Sequence, residues 1–204
     1  MTFLDRLRER RIIGIVRGPD ADAALGTVLA LVEEGIGLVE VSLNTTDAFD
    51  VIARARAQLG ADAGLGAGTV LSEDDAKRAA DAGASFVVTP SLGPGVTASL
   101  GRGLPVVAGA LTPTEVVAAL AVGVTAVKLF PASLGGVSYL RALRDPFPDV
   151  PFVPVGGVDA EAAGAYLAAG AVAVGVGSPL VGDAAAGGSL DELRQRARSF
   201  QDAL

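Results

Sequence analysis

Short apolar runs recur along the chain, and each is followed by a longer stretch whose apolar positions return at helical spacing. The first pattern marks strands buried on both faces, and the second marks helices that bury one stripe. Strands are expected at Ile12–Val16, Leu38–Leu43, Ala63–Val70, Phe86–Thr89, Pro105–Ala108, Ala126–Phe130, Phe152–Val155 and Ala171–Gly175. Helices are expected at Asp20–Glu34, Asp47–Leu59, Ser72–Ala82, Thr112–Val122, Val137–Arg144, Ala160–Ala169 and Ser189–Ala203. Ser72-Glu-Asp-Asp and Thr112-Pro-Thr-Glu put a capping hydroxyl ahead of acid or proline in the first turn, which signals a helix start. The weakly patterned Gly93–Leu100 reads as a short helix, and Thr2–Arg10 as an extra helix before the first strand.

Strand followed by helix, repeated through the chain at roughly 20–25 residues per unit, predicts a (β/α)8 TIM barrel with an extra N-terminal helix. A doubly wound sheet is the structural rival. The number of strands, and the lack of a GxGxxG after the first of them, favour the barrel. No linker interrupts the pattern, so residues 1–204 read as one barrel domain. The 27 glycines are spread along the chain and read as turns. Aromatics make up only 4% of a chain that is 50% hydrophobic, so Ala, Val and Leu must fill the core.

Charge and missing residue types narrow the chemistry. A net charge of −7 and the absence of a long basic run speak against nucleic acid as a partner. With no Cys and no His, disulfides, thiol nucleophiles, Ser-His-Asp triads and the usual zinc sites are excluded. Acid–base work must fall to Asp, Glu, Lys or Tyr. The uncharged stretch Ala162–Gly182 is long enough to cross a bilayer, but its glycines and Pro179 break it into a helix end, a short strand and a turn. The charged N-terminus does not read as a signal peptide, and a cytoplasmic protein with no membrane partner is expected.

Lysine is used only twice, against 14 arginines. Lys77 lies in the polar stretch SEDDAKR, whereas Lys128 lies in VTAVKLFP, inside an apolar strand. An amine kept at an apolar site suggests work that a guanidinium cannot do, because a desolvated lysine can lose its proton near neutral pH and attack a carbonyl. A snorkelling strand-end lysine or a phosphate clamp is the alternative. Glu40, in the apolar run GLVEVSL, is the second signal. Buried carboxylates are rare unless paired or functional, so Glu40 is either a proton shuttle for imine chemistry or the structural counterion of Arg17 or Lys128.

In a barrel, reactive groups come from the C-terminal ends of the strands. Those ends carry Arg17, Asn44, Thr69, Pro90, Phe130, Val155 and the glycine turns VGGV and GVGS. The two turns follow strands seven and eight, where barrels commonly bind phosphate through bare backbone N–H groups. The ligand is then a small phosphorylated molecule.

The order VEVSLNT, GAGTVL, VVTPSL, VKLFPAS, VGGV and GVGS resembles the bacterial class I aldolases of 2-keto-3-deoxy-6-phosphogluconate and 2-keto-3-deoxy-6-phosphogalactonate. The resemblance runs from RIIGIVRG to GVGSPLV. It implies a lysine imine with pyruvate at Lys128, proton shuttling by Glu40, and phosphate binding by Gly156, Gly157, Gly177 and Ser178. It implies substrate contacts from Arg17, Asn44, Thr69, Pro90, Phe130 and Val155. It further implies a homotrimer that needs no metal and no cofactor beyond the covalent imine. The chain departs from the gluconate type, which carries Arg where Asn44 stands and Thr where Val155 stands. Galactonate-type members read as this chain does at both places, so the galactonate epimer or both epimers are expected as substrates. Ser133 replaces an acid found in many relatives. Two rivals remain open: an aldolase acting on 4-hydroxy-2-oxoglutarate, and a non-catalytic barrel that binds a phosphorylated ligand.

Overall fold

The computed structural model describes residues 1–204. It contains eight parallel strands: β1 (Ile12–Val16), β2 (Leu38–Ser42), β3 (Gly64–Gly68), β4 (Phe86–Thr89), β5 (Val106–Ala110), β6 (Ala126–Leu129), β7 (Phe152–Pro154) and β8 (Val174–Val176). From β1 to β7 each strand pairs with its neighbours in sequence, and β1 also pairs with β8. Between β7 and β8 the ring is completed by the bridge Val155–Gly175 and by the Val172 N–H donating to the Phe152 carbonyl at 3.0 Å. The result is a parallel barrel wrapped by α2 (Ala21–Glu33), α3 (Ala48–Leu59), α4 (Glu73–Asp81), α5 (Pro94–Gly101), α6 (Pro113–Ala121), α7 (Gly136–Arg144), α8 (Ala160–Ala168), the single turn α9 (Ser178–Val181) and α10 (Leu190–Ala203). No helix is long and apolar enough to cross a membrane.

The helix starts follow from local chemistry. Ser72 and Thr112 close reciprocal capping boxes with Asp75 and Glu115, and Asp20, Asp159 and Ser189 accept from the first turns of their helices. Thr2 forms the same box with Asp5 at the start of α1 (Phe3–Arg10).

Strand alternation divides the core in two. Outward residues such as Val39, Leu65, Val87 and Val127 join the helices in one large apolar layer. Inward residues Ile13, Leu38, Phe86, Val107 and Val153 fill the lower barrel together with Leu7 from α1. Phe3 of α1 stacks on Phe86 with ring centroids 4.7 Å apart, so α1 is a plug across the N-terminal end.

The glycines of β3 lie where the strand was expected, and two other strand boundaries need correction. Gly64, Gly66 and Gly68 are strand residues of β3, within the run Ala63–Val70. They face inward, and a Cβ on Gly66 would come within 2.5 Å of the Phe86 ring, so glycine here makes room for the one large aromatic of the barrel interior. Strand β5 runs on through Gly109 and Ala110, which pair with Lys128 and Leu129 of β6. Strand β8 starts three residues later than the apolar run suggested, because Ala171–Ala173 are spent on the crossing from α8.

Candidate active site

The C-terminal ends of the strands surround a cavity of about 600 Å3. Arg17, Glu40, Asn44, Thr69, Pro90, Lys128, Phe130, Val155, Gly156, Gly157, Gly177 and Ser178 all line it. Residues from widely separated parts of the sequence therefore converge, and none of the candidates lies elsewhere.

Lys128 reaches this cavity because β6 alternates. Val127 and Leu129 point outward into the apolar layer, while Lys128 points inward between Gly109 of β5 and Val153 of β7. The residue is 7% exposed, and its Nζ stands 4.9 Å from the centre of the Phe130 ring. Burial pulls the ammonium below the usual lysine range, and the Glu40 carboxylate opposes that shift.

Glu40 projects inward from β2, paired in register with Ile15 of β1 and Gly66 of β3. It is 2% exposed, and its Oε2 has no hydrogen-bond partner. Burial raises its carboxyl to about 7, and the nearby Lys128 charge draws it down only in part. The structural ion pair with Arg17 or Lys128 is not formed: no cationic nitrogen lies within 4.0 Å of this carboxylate. A Cβ at position 68 would sit 2.6 Å from Glu40 Oε1, so the second glycine of GAGT is what lets the carboxyl lie across β3.

Thr69 follows directly, with φ +64°. A β-branched residue in the left-handed region costs about 1–3 kcal/mol and persists only where its surroundings hold it. Its hydroxyl is 3.1 Å from that of Ser42, a buried residue of β2. Ser42 also lines the cavity and was not singled out from the sequence. The period-two rule pointed to it, since it follows Glu40 by two positions on the same strand face.

At the far side, Gly156 and Gly157 have φ +97° and +75°, conformations that suit glycine. No protein acceptor takes the N–H of Gly156, Gly157 or Gly177. Val155 faces the mouth across Gly175, where a Cβ would lie 2.6 Å from the valine Cγ2. Ser178 opens α9, a turn too short to show periodicity in the sequence. Arg17 and Asn44 are exposed at the rim, and Arg17 has no ion-pair partner. No group of three or more His, Cys, Asp or Glu side chains is placed to hold a metal ion.

A family model described as KDPG and KHG aldolase matches residues 4–195. The chain belongs to this family. It is 39% identical over 170 residues to the 2-dehydro-3-deoxy-phosphogluconate aldolase of Treponema pallidum, covering 82% of this chain and 80% of that one. It is 38% identical over 191 residues to a probable 2-dehydro-3-deoxy-6-phosphogalactonate aldolase of Rhizobium meliloti, covering 93% and 89%. Among solved structures, the KDPG aldolase of Legionella pneumophila, with pyruvate captured at low pH as a covalent carbinolamine intermediate, superposes with a TM-score of 0.89 at 25% identity, covering 98% of both chains.

Proposed function

We propose that Lys128 is the imine-forming residue of a class I aldolase that cleaves a 2-keto-3-deoxy-6-phospho sugar acid to pyruvate and D-glyceraldehyde 3-phosphate. The observation that carries this reading is the pairing of a lysine amine and a carboxyl in one cavity, both buried and not ion-paired, with their proton affinities pushed towards neutrality from opposite sides.

The neutral amine of Lys128 attacks the C2 keto carbon, and loss of water from the carbinolamine gives the protonated imine. Glu40 carries the protons that this step moves. Glu40 then takes the C4 hydroxyl proton, directly or through water, as the C3–C4 electron pair flows into the imine. Glyceraldehyde 3-phosphate departs, leaving the enamine of pyruvate, which is protonated at C3 and released by hydrolysis. The imine is itself the electron sink, so the reaction calls on no cofactor.

Thr69 and Arg17 serve the carboxylate end of the substrate, while Pro90 and Phe130 wall the reacting carbons. The uncommitted N–H groups of Gly156, Gly157 and Gly177, with the hydroxyl of Ser178, receive the phosphate. That feature favours a phosphorylated substrate over 4-hydroxy-2-oxoglutarate. The gluconate and galactonate relatives are about equally similar, so the choice of epimer rests on Asn44 and Val155. Both residues favour the galactonate compound or both epimers. The protein works as a homotrimer in the cytoplasm. In support of association, Val117, Leu120 and Val122 lie exposed together along α6 and just beyond it.

The test is borohydride reduction in the presence of pyruvate, followed by peptide mass mapping. A stable adduct on Lys128 is expected. An adduct confined to Lys77 or the N-terminus removes Lys128 from its role, and no adduct at all leaves the non-catalytic barrel.

A further inference from the structure

Ser42 and Thr69 share a hydrogen bond in which either oxygen could donate. The backbone N–H of Asn44 points at Ser42 Oγ, 3.4 Å away. Ser42 Oγ accepts from Asn44, which leaves one lone pair and its own single proton for the contact with Thr69. The Thr69 hydroxyl has no other protein partner than Ser42. Ser42 is 3% exposed, so bulk water does not compete for it, and Thr69 is held at φ +64° beside it.

We propose that Ser42 is a positioning residue: it donates its proton to Thr69 Oγ1, so that the Thr69 O–H is directed into the cavity as a donor to the carboxylate of the keto acid. A hydroxyl carries one proton. If Thr69 gave its proton to Ser42, it would offer the anionic end of pyruvate only lone pairs. With Ser42 as donor, the path Asn44 N–H to Ser42 to Thr69 ends in an O–H aimed at an anion. The same relay fixes the Thr69 rotamer without a contact between Ser42 and substrate. This rests on the reading of Thr69 as a contact to the carboxylate, and it makes Ser42 a determinant of affinity for the pyruvate half alone.

The test is a double-mutant cycle of Ser42→Ala and Thr69→Val, read as the half-saturating pyruvate concentration and the limiting rate of borohydride trapping, with thermal melts of all four proteins. Ser42→Ala should raise half-saturation about 2–12-fold, the scale of one neutral hydrogen bond, and move the limiting rate less. Ser42→Thr, which keeps the hydroxyl, should restore wild-type half-saturation. In the Thr69→Val background, Ser42→Ala should add nothing. An equal effect in both backgrounds, or none in either, overturns the relay. If Thr69→Val alone leaves pyruvate affinity unchanged, the carboxylate reading of Thr69 fails instead. Should Ser42→Ala melt below the assay temperature, Ser42→Cys supplies the same cycle with a weakened donor.

Discussion

The two ends of the barrel are built from the same strands and follow opposite rules. At the N-terminal end, the inward layer is Phe86, Leu38 and Val107, with Phe3 and Leu7 packed across it. There the Arg56 guanidinium donates to the carbonyls of Gly60, Ala61, Ala63 and Gly83, binding two loops together. Along β6, moving from Ala126 to Lys128 leaves that layer and enters the mouth, and along β2 the same step leads from Leu38 to Glu40. At the mouth, a buried carboxyl oxygen lacks a partner, three glycine N–H groups lack acceptors and a threonine sits at positive φ. The base does contain a lapse, the buried Nε of Arg144, but its other guanidinium nitrogens are bonded to carbonyls. Polar satisfaction is thus kept where the chain needs stability and relaxed where it needs reactivity, whereas a positive φ occurs at both ends, at Arg11 (+57°) before β1 and at Thr69 (+64°).

Lys128→Arg is the hardest test of this contrast. It keeps the positive charge and should abolish cleavage and trapping, because a guanidinium is not nucleophilic at neutral pH. Retained turnover would make the mouth lysine a charge and nothing more.

Glu40→Gln should lower kcat by about 10²–10⁴-fold. The wild-type rate should climb as pH rises through about 7, where Glu40 ionises. Stability should move the other way. The folded carboxyl holds its proton up to about 7, while the unfolded one loses it near 4.5, so the stabilising contribution is complete below 4.5 and is lost as pH rises to about 7. The loss is of the order of 3 kcal/mol. Glu40→Gln should abolish that slope in chemical denaturation at a series of pH values. An unchanged slope would show that the proton is lost elsewhere.

Phe86→Ala addresses the other end. Removing the ring should cost about 3–5 kcal/mol of stability, read as a lower Tm, while kcat of the protein that remains folded stays near wild type. A large fall in kcat without a fall in Tm would couple the two ends and dissolve the comparison.

Val155→Thr should give the smallest effect. Threonine has nearly the same shape and fits over Gly175, yet its hydroxyl can partner a substrate hydroxyl. It should raise kcat/KM for the gluconate epimer relative to the galactonate epimer, by roughly tenfold at most. A ratio that does not move leaves Val155 as packing and Asn44 as the sole basis for the epimer preference.

The strand–helix alternation was legible because buried parallel strands and amphipathic helices differ in period, and the boundaries moved mainly at β5 and β8. Lys128 and Glu40 were legible because ionisable groups inside apolar runs are costly without a task. Ser42 was not, because a small hydroxyl residue is at home in strands, caps and loops alike. The reason for glycine in β3 was not legible, because room for a neighbour's ring or carboxyl is a property of the partner strand, absent from the local pattern. The four-residue α9 carries too few positions for a period to show.

The plug of Phe3 against Phe86 has a consequence for traffic. A barrel shut at its base has one door, which serves as inlet, outlet and water supply. On the proposed mechanism the pyruvate half lies innermost, on Lys128, and the phosphorylated half stands in the doorway. The aldehyde must leave before water can reach the imine, and in synthesis pyruvate must be seated before the aldehyde arrives. The product that leaves last shares the resting enzyme with the substrate, so pyruvate should inhibit cleavage competitively and glyceraldehyde 3-phosphate should not.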